Sequence, residues 1–302
     1  PPPTLGDISL EVRGNAQHGP RAETRKELLV AQHLDDPEIA AAKTVGDAYK
    51  VLMKKERTAE NLVMAQALGA ALSTKAHTVL NEDSITWMRA QPEGGFDVIL
   101  TDPPYGMGAD EFGDSGGKAA GAHGYIDDPD TATRCMNAVF ELGFALTKPQ
   151  AHLYMFLDID YYAWARAQAT AAGWRVHRTP LIWHKPSGSR MPWPQHGPQR
   201  RYEVILYAVK GDKPIERIAG DVLSYSSDDN LGHAAQKPVA LFVDLLSRSC
   251  RPGMRVLDPF CGTGPIIPAA AEMKCFSTAI ELDPASYAIA AARANSLEDA
   301  ML

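Results

Sequence analysis

The chain contains no apolar run long enough to span a bilayer and no recognisable secretory leader, so no membrane-spanning helix is expected and a cytoplasmic location is. Cysteine is scarce. Cys135, Cys250, Cys261 and Cys275 show no CxxC spacing, which argues against a zinc site or a disulfide framework and suits a reducing compartment. His184, His196 and His233 are scattered without HxxxH spacing, so no metal is expected. Positive charge is also short: 30 Lys and Arg against 37 Asp and Glu leave a net charge of −7, which counts against extensive nonspecific nucleic-acid binding. An initiating Met is absent. The chain starts at Pro1-Pro2-Pro3, which leaves open an upstream domain outside it. There is no internal repeat.

What is present reads as a globular enzyme, with 45% hydrophobic and 22% charged residues over 302 positions. Residues 1–35 are polar and aperiodic. Asp36-Pro37-Glu38 marks a helix start, with Ile39, Ala42, Val45, Tyr49 and Leu52 following at helical spacing. Thr58 is positioned to cap a second helix running to Ala71. Residues 1–75 are therefore expected to form a polar arm and helical extension. From His77 on, strands alternate with helices. Strands are expected at 77–80, 97–100, 151–157, 174–183, 202–209, 255–257 and 277–282, and helices at 84–90, 131–147, 160–172, 238–248, 265–273 and 284–295. This alternation predicts an α/β fold over 76–302, a mainly parallel Rossmann-like sheet with helices on both faces. Residues 211–232 read as irregular. The long glycine-bearing loop 106–130 reads as a functional lid.

Two buried strands stop at a carboxylate and open into a loop, the position where open α/β sheets bind ligands. The later one runs Asp258-Pro259-Phe260-Cys261-Gly262-Thr263-Gly264-Pro265. Its glycines let backbone approach a ligand, and Pro265 suits a first helical turn. The dinucleotide fingerprint would need a third glycine where Ile267 stands, which disfavours an NAD site. The next strand ends in Glu281, a carboxylate able to accept two ribose hydroxyls. The earlier loop is Asp102-Pro103-Pro104-Tyr105. Its two prolines fix φ and give up two N–H donors, leaving their carbonyls as acceptors. Asp102 adds a carboxylate and Tyr105 a flat ring. Such a loop can accept both hydrogens of a planar exocyclic amine, localise its lone pair toward an electrophile, and stack a base extruded from a duplex.

These loops resemble those of the S-adenosylmethionine-dependent amino-methyltransferases that modify adenine N6 or cytosine N4 in DNA. The resemblance spans roughly 77–295 and makes 76–302 the methyltransferase domain. It implies that Asp102, Pro103, Pro104 and Tyr105 form the catalytic tetrapeptide, and that Asp258, Phe260, Gly262 and Gly264 form the cofactor loop with Glu281 as ribose acid. Gln236-Lys237-Pro238 matches the family's KP element, placing Lys237 near the methionine moiety. Asn81-Glu82-Asp83-Ser84 stands where the family has Gly-Asp-Ser, so Asp83 is expected at the cofactor adenine; Glu82 is a departure. Asp102 is also counted among the cofactor contacts. The order of the loops resembles the permuted β group, in which target recognition follows the last catalytic-half strand; here that gap is short.

Asp at the first tetrapeptide position favours adenine N6, with cytosine N4 as the alternative, because many cytosine enzymes carry Ser there. RNA and protein-glutamine methyltransferases usually carry Asn. A DNA-binding or partition module with a vestigial methyltransferase domain is the reading from another class. DNA is the expected partner, and a homodimer is left open. Segment 183–217 holds seven basic against three acidic residues, with Trp183 and Trp193 interleaved. Arg190, Arg200 and Arg201 are therefore the expected contacts to the DNA backbone.

Overall fold

The computed structural model describes residues 18–105, 128–186, 201–226 and 237–299. The chain divides into two compact units, Pro1–Val63 and Met64–Leu302.

In the first unit, Asp36 caps α2 (Pro37–Ala40) by accepting from Glu38 N at 3.0 Å and Ile39 N at 3.3 Å, as its sequence signature predicts. Lys55 pairs with Asp36 and, at 3.0 Å, with Glu38. Val30, Ile39, Ala48 and Leu52 form a small buried core. Three expectations are corrected. The helix begun at Pro37 ends at Ala40, so Val45, Tyr49 and Leu52 lie on a separate helix, Val45–Leu68. The polar arm contains a helix, α1 (His18–Ala31). Thr58 caps nothing: its hydroxyl donates back to Lys54 O at 3.0 Å inside one continuous helix, α3 (Val45–Leu68).

The second unit is built on a ten-stranded sheet in the order β1-β2-β10-β9-β3-β4-β7-β6-β8, with β5 also paired to β7. The strands are β1 (Ala71–Ser73), β2 (His77–Asn81), β3 (Phe96–Thr101), β4 (Thr147–Leu157), β5 (Arg175–Val176), β6 (Leu181–His184), β7 (Tyr202–Lys210), β8 (Val222–Ser224), β9 (Arg255–Asp258) and β10 (Phe276–Glu281). From β2 through β10, β9, β3 and β4 every pairing is parallel, while β1, β5, β6 and β7 add antiparallel pairs. The expected mainly parallel sheet is thus present. Missed were the short strands β1 and β8. The single strand expected at 174–183 is two, separated at Pro180, which has no N–H for a ladder.

Both faces are covered, and strand alternation sorts the side chains between them. Val98, Leu100, Tyr154, Phe156, Val256 and Ala279 join one core cluster with α7 (Val239–Ser247), α8 (Ile266–Glu272) and α9 (Pro284–Asp299). Ile99, Leu153, Met155, Leu257 and Ile280 join the other with α4 (Ser84–Ala90), α5 (Pro129–Leu146) and α6 (Tyr162–Ala171). This two-face burial explains why the central strands read as continuous apolar runs. Among the described residues, no helix is long and apolar enough to cross a membrane.

The sheet positions the site through one adjacency. β3 and β9 are neighbours, with Val98 opposite Val256 and Ile99 opposite Leu257. From β3 the chain goes on to β4 on one side; from β9 it goes on to β10 on the other. The two strand tips therefore flank a topological switch point, where open sheets leave a crevice. Asp102 lies at this sheet centre. The basic segment joining β6 to β7 belongs to strands beyond β4, not to an edge that carries Asp102.

At the opposite end, Asp97 ties three strands together. Its carboxylate accepts from Lys148 Nζ at 2.8 and 2.9 Å and from Arg255 N at 2.9 Å. Asp97→Ala would leave a partly buried N–H and an ammonium group without their acceptor. Urea unfolding is expected to show a loss of about 1–3 kcal/mol; an unchanged midpoint would show that the tie is dispensable.

Candidate active site

The tips of β3, β9 and β10 open into a cavity of about 430 Å³, within the usual size range of small-molecule sites. Side chains already fix its walls. Thr101 Oγ1 donates to Asp258 Oδ1 at 2.8 Å, locking the β3 tip to the β9 tip. Phe260 N donates to the same oxygen at 3.2 Å. Ser84 Oγ donates to Pro259 O, and Asn81 Nδ2 to Glu281 O and Leu282 O, both at 2.9 Å. The Glu281 carboxylate is oriented by Gly262 N and Asp283 N, each at 2.8 Å. Asp83 caps α4 through Thr86 N at 2.8 Å.

Asp83, Asp102, Pro104, Lys237, Asp258, Phe260, Gly262 and Glu281 all line this cavity. Residues far apart in sequence thus converge as expected. Gly264 does not line it. At φ +74° it faces the core, where an added Cβ would lie 2.8 Å from both Ala290 Cβ and Ile267 Cδ1. Packing against α9 and α8 by itself requires glycine at this position. Gly262, at φ +54°, has nothing within 4 Å of a would-be Cβ and fits backbone approach to a ligand better. Pro103 and Tyr105 lie outside the lining set. Arg190, Arg200, Gln236, His196, His233 and loop positions 106–127 fall outside the described residues.

Beside the cavity lies a buried ionic cluster. Lys237 donates to Asp102 Oδ2 and lies 3.3 Å from Glu203 Oε2. Lys185 donates to Glu203 Oε1, and Tyr105 Oη donates to Glu203 Oε2 at 3.3 Å. The Lys237 ammonium stands 5.3 Å from the Tyr105 ring, 5.2 Å from Phe156 and 6.0 Å from Trp183. Burial drives Lys237 toward neutrality, but the two carboxylates outweigh it and hold the ammonium above the ordinary lysine range. Burial likewise pushes Glu203 up, yet Lys237 and Lys185 bring it down to about 2. Asp102 behaves differently. Burial raises it, Lys237 pulls it back, and Glu203 adds repulsion, leaving it above the usual carboxylate range. The Tyr105 hydroxyl also acts on this carboxylate and lowers it, while Oδ1 is buried and meets no well-aligned donor among the described residues.

Sequence reasoning missed Glu203 as a site residue. An acid at the head of a strand that is otherwise apolar through Val209 is a signal that a buried cation faces it. The basic character of 183–217 is also largely consumed within the protein. Lys185 is taken by Glu203, Lys210 donates to the carbonyls of Phe144 and Thr147, and Arg217 pairs with Asp244 at 2.7 Å. Arg201 donates to Lys185 O at 3.3 Å and to Pro186 O, and not to Glu203.

Two further carboxyls are perturbed by burial at the cavity wall: Asp258 is pushed up to about 8 and Glu281 to about 7. Across the interval from ordinary carboxylate values to these, the folded chain retains protons that the unfolded chain has released. Their contribution therefore lowers stability as pH rises through that window. Asp258→Asn keeps an acceptor for Thr101 and removes the ionisation. Its melting temperature should exceed wild type at pH 8.5 and converge with it near pH 4. A gap that does not depend on pH would contradict the raised value. Gly264→Ala should destabilise the fold by roughly 2–4 kcal/mol in urea, from overpacking and a positive φ; an unaltered midpoint would return Gly264 to a ligand-facing role.

The family model for N6- and N4-type DNA methylases matches residues 96–292. The candidate methylase YubD of Escherichia coli (strain K12) is 26% identical over 193 residues, covering 62% of this chain and 77% of that protein. The type II methyltransferase M.HpaI of Haemophilus parainfluenzae is 22% identical over 209 residues; the match covers 60% of this chain and 62% of M.HpaI. Among solved structures, the M1.HpyAVI–SAM complex superposes with a TM-score of 0.56 at 20% identity, over 72% of this chain and 99% of that one. The cytosine-N4-specific PvuII DNA methyltransferase gives 0.58 at 13% identity, over 75% and 93%. These likenesses agree on the fold, and the family match takes in both strand-tip loops and Glu281. The chain belongs to the N6/N4 DNA methylase family.

Proposed function

We propose that this protein transfers a methyl group from S-adenosylmethionine to adenine N6 in DNA, with Asp102 as the group that activates the amine. The observation that carries the reading is the convergence of Asp102 after the β3 tip and Glu281 at the β10 tip on one cavity, with the Asp102 carboxylate held there by Lys237.

The residues present fit the cofactor. Five carboxylates (Asp83, Asp102, Asp258, Glu281 and Asp283) line the cavity against three cations, Arg89, Arg134 and Lys237. An acidic, partly buried wall suits a ligand bearing a sulfonium and an ammonium group. Glu281, oriented by two backbone N–H groups, keeps lone pairs for ribose hydroxyls. Gly262 lets backbone approach, Asp83 and Phe260 flank the nucleoside side, and Lys237 and Asp258 border the strand tips. S-adenosylmethionine, when bound, supplies the electrophilic methyl group.

Asp102 and the carbonyl of Pro103 accept the two amine hydrogens and turn the nitrogen lone pair out of conjugation. Pro104 stiffens the loop, and Tyr105, braced by Glu203, offers its ring to the extruded base. Lys237 opposes the cost of burial and favours the ionised form of Asp102. A loop of this kind serves either base amine; Asp at its first position is what favours adenine. Arg201, exposed beside the β6–β7 connection, is assigned to the DNA backbone together with Arg190 and Arg200.

The test uses labelled cofactor and mixed-sequence DNA, followed by nucleoside digestion and mass spectrometry. Label is expected in N6-methyladenine; label confined to cytosine would contradict the base assignment. Asp102→Ala should lower turnover by about 10²–10³-fold with cofactor affinity retained, the scale of lost transition-state hydrogen bonds. More than about a tenth of wild-type turnover in that variant would overturn the role of Asp102.

A further inference from the structure

We propose that Glu203 is a positioning residue for methyl transfer: by sharing Lys237 with Asp102 it holds the ammonium on Oδ2 and fixes the orientation of the carboxylate that receives the target amine. The proposal rests on the reading of Asp102 given above and deepens it.

The geometry is that of a four-membered chain, Lys185–Glu203–Lys237–Asp102, in which each cation touches Glu203 and only Lys237 touches Asp102. Two carboxylates and two ammonium groups balance. A lysine facing a lone carboxylate is free to slide between its two oxygens. Here Glu203 Oε2, 3.3 Å from Nζ, draws the ammonium to one side, and the rings of Tyr105, Phe156 and Trp183 close round it. The Lys237 side chain is 7% exposed and has no aqueous alternative. Glu203 is itself anchored: Lys185 holds Oε1 and lies 4.4 Å from the Trp183 ring, while Tyr105 donates to Oε2. One carboxylate thereby sets the position of Lys237 and braces the last residue of the tetrapeptide.

The same chain controls charge at Asp102. The ionisable groups around it are Lys237 before α7, Glu203 on β7, Tyr105 in its own loop and Asp258 at the β9 tip, with Lys185 after β6 acting through Glu203. Removing the negative charge of Glu203 leaves Lys237 wholly to Asp102 and abolishes a repulsion, so Asp102 should ionise at lower pH. Removing Lys185 leaves the charge of Glu203 less compensated, so Asp102 should ionise at higher pH. A purely structural ion cluster predicts the same shifts through Coulomb interaction, but no loss of kcat at a pH where Asp102 is ionised in both proteins.

The experiment follows the Asp102 carboxyl carbon by 13C NMR against pH in the full chain, assigned by its disappearance in Asp102→Asn. Glu203→Gln keeps an acceptor for Tyr105 and the lysines. It should move the Asp102 midpoint down by roughly one pH unit, and Lys185→Met should move it up. In parallel, tritiated-methyl transfer to DNA should show kcat of Glu203→Gln reduced by roughly 10- to 100-fold above the midpoint, the scale of a misplacement of about 1 Å. Midpoints that stay fixed or move together, or a kcat unchanged above the midpoint, overturn the proposal. Should Glu203→Gln fail to fold, Lys185→Met, which frees Glu203 from its anchor, should lower kcat above its own midpoint, and an unchanged kcat overturns the proposal. Opposite shifts in a protein that methylates no DNA would sustain the ionic chain and overturn the reaction instead.

Discussion

The site depends on the parallel pairing of β3 with β9, sealed at its tip by the 2.8 Å bond from Thr101 to Asp258. That contact brings together loops more than 150 positions apart in the chain. Each loop is chemically incomplete alone. The Asp102 loop offers acceptors for an amine but lacks a donor of the transferred group. The Asp258 loop, with Glu281 on the next strand, can hold a nucleoside but has nothing to activate a second substrate. Adjacent parallel strands point both loops into one crevice, and the chain leaves that crevice in opposite directions. Because β3 and β9 are buried on both faces, the bond between their tips closes at little entropic cost, on two tips that packing already holds in place.

Much of this architecture was legible because its physics is local. The runs at Phe96–Leu100 and Arg255–Leu257 are apolar, short, and stopped by an acid followed by proline, so strand and loop followed directly. The helix expected at 265–273 carried its own start signal in Pro265. What was not legible depended on partners. β1 and β8 are three-residue strands whose pairing comes from β2 and β6, and three residues carry no readable period. Thr58 has a side chain that suits a cap and equally a bond to the preceding turn; the rest of α3 decided between them. Pro180 alone could have signalled the split between β5 and β6.

The site divides the same way. The tetrapeptide, the cofactor loop and Glu281 were readable as motifs, and the cavity lining includes most of them. Gly264 looked equivalent to Gly262 because sequence reports only that both are glycine. Which way a missing Cβ would point is set by α9, whose Ala290 occupies the space behind Gly264. Glu203, an acid at the head of an apolar strand, carried only a partial signal for a related reason. Its importance comes from Lys185 and Lys237, on segments the sequence does not join. The seven basic residues of 183–217 likewise looked like one positive surface until the fold spent Lys185, Lys210 and Arg217 on internal partners. Net charge along a segment describes a surface only when its side chains share a face.

On this reading the β3–β9 crevice is an acidic cofactor site completed by a cationic ligand. Calorimetric titration of S-adenosylmethionine at pH 7, in two buffers of different ionisation enthalpy, tests it most directly. Asp258 and Glu281 are pushed up to about 8 and about 7, so a bound cation should strip protons from them. The account predicts binding with net proton release, seen as buffer-dependent heat, and a smaller release in Asp258→Asn. Heat that is the same in both buffers, or no binding at all, would contradict it.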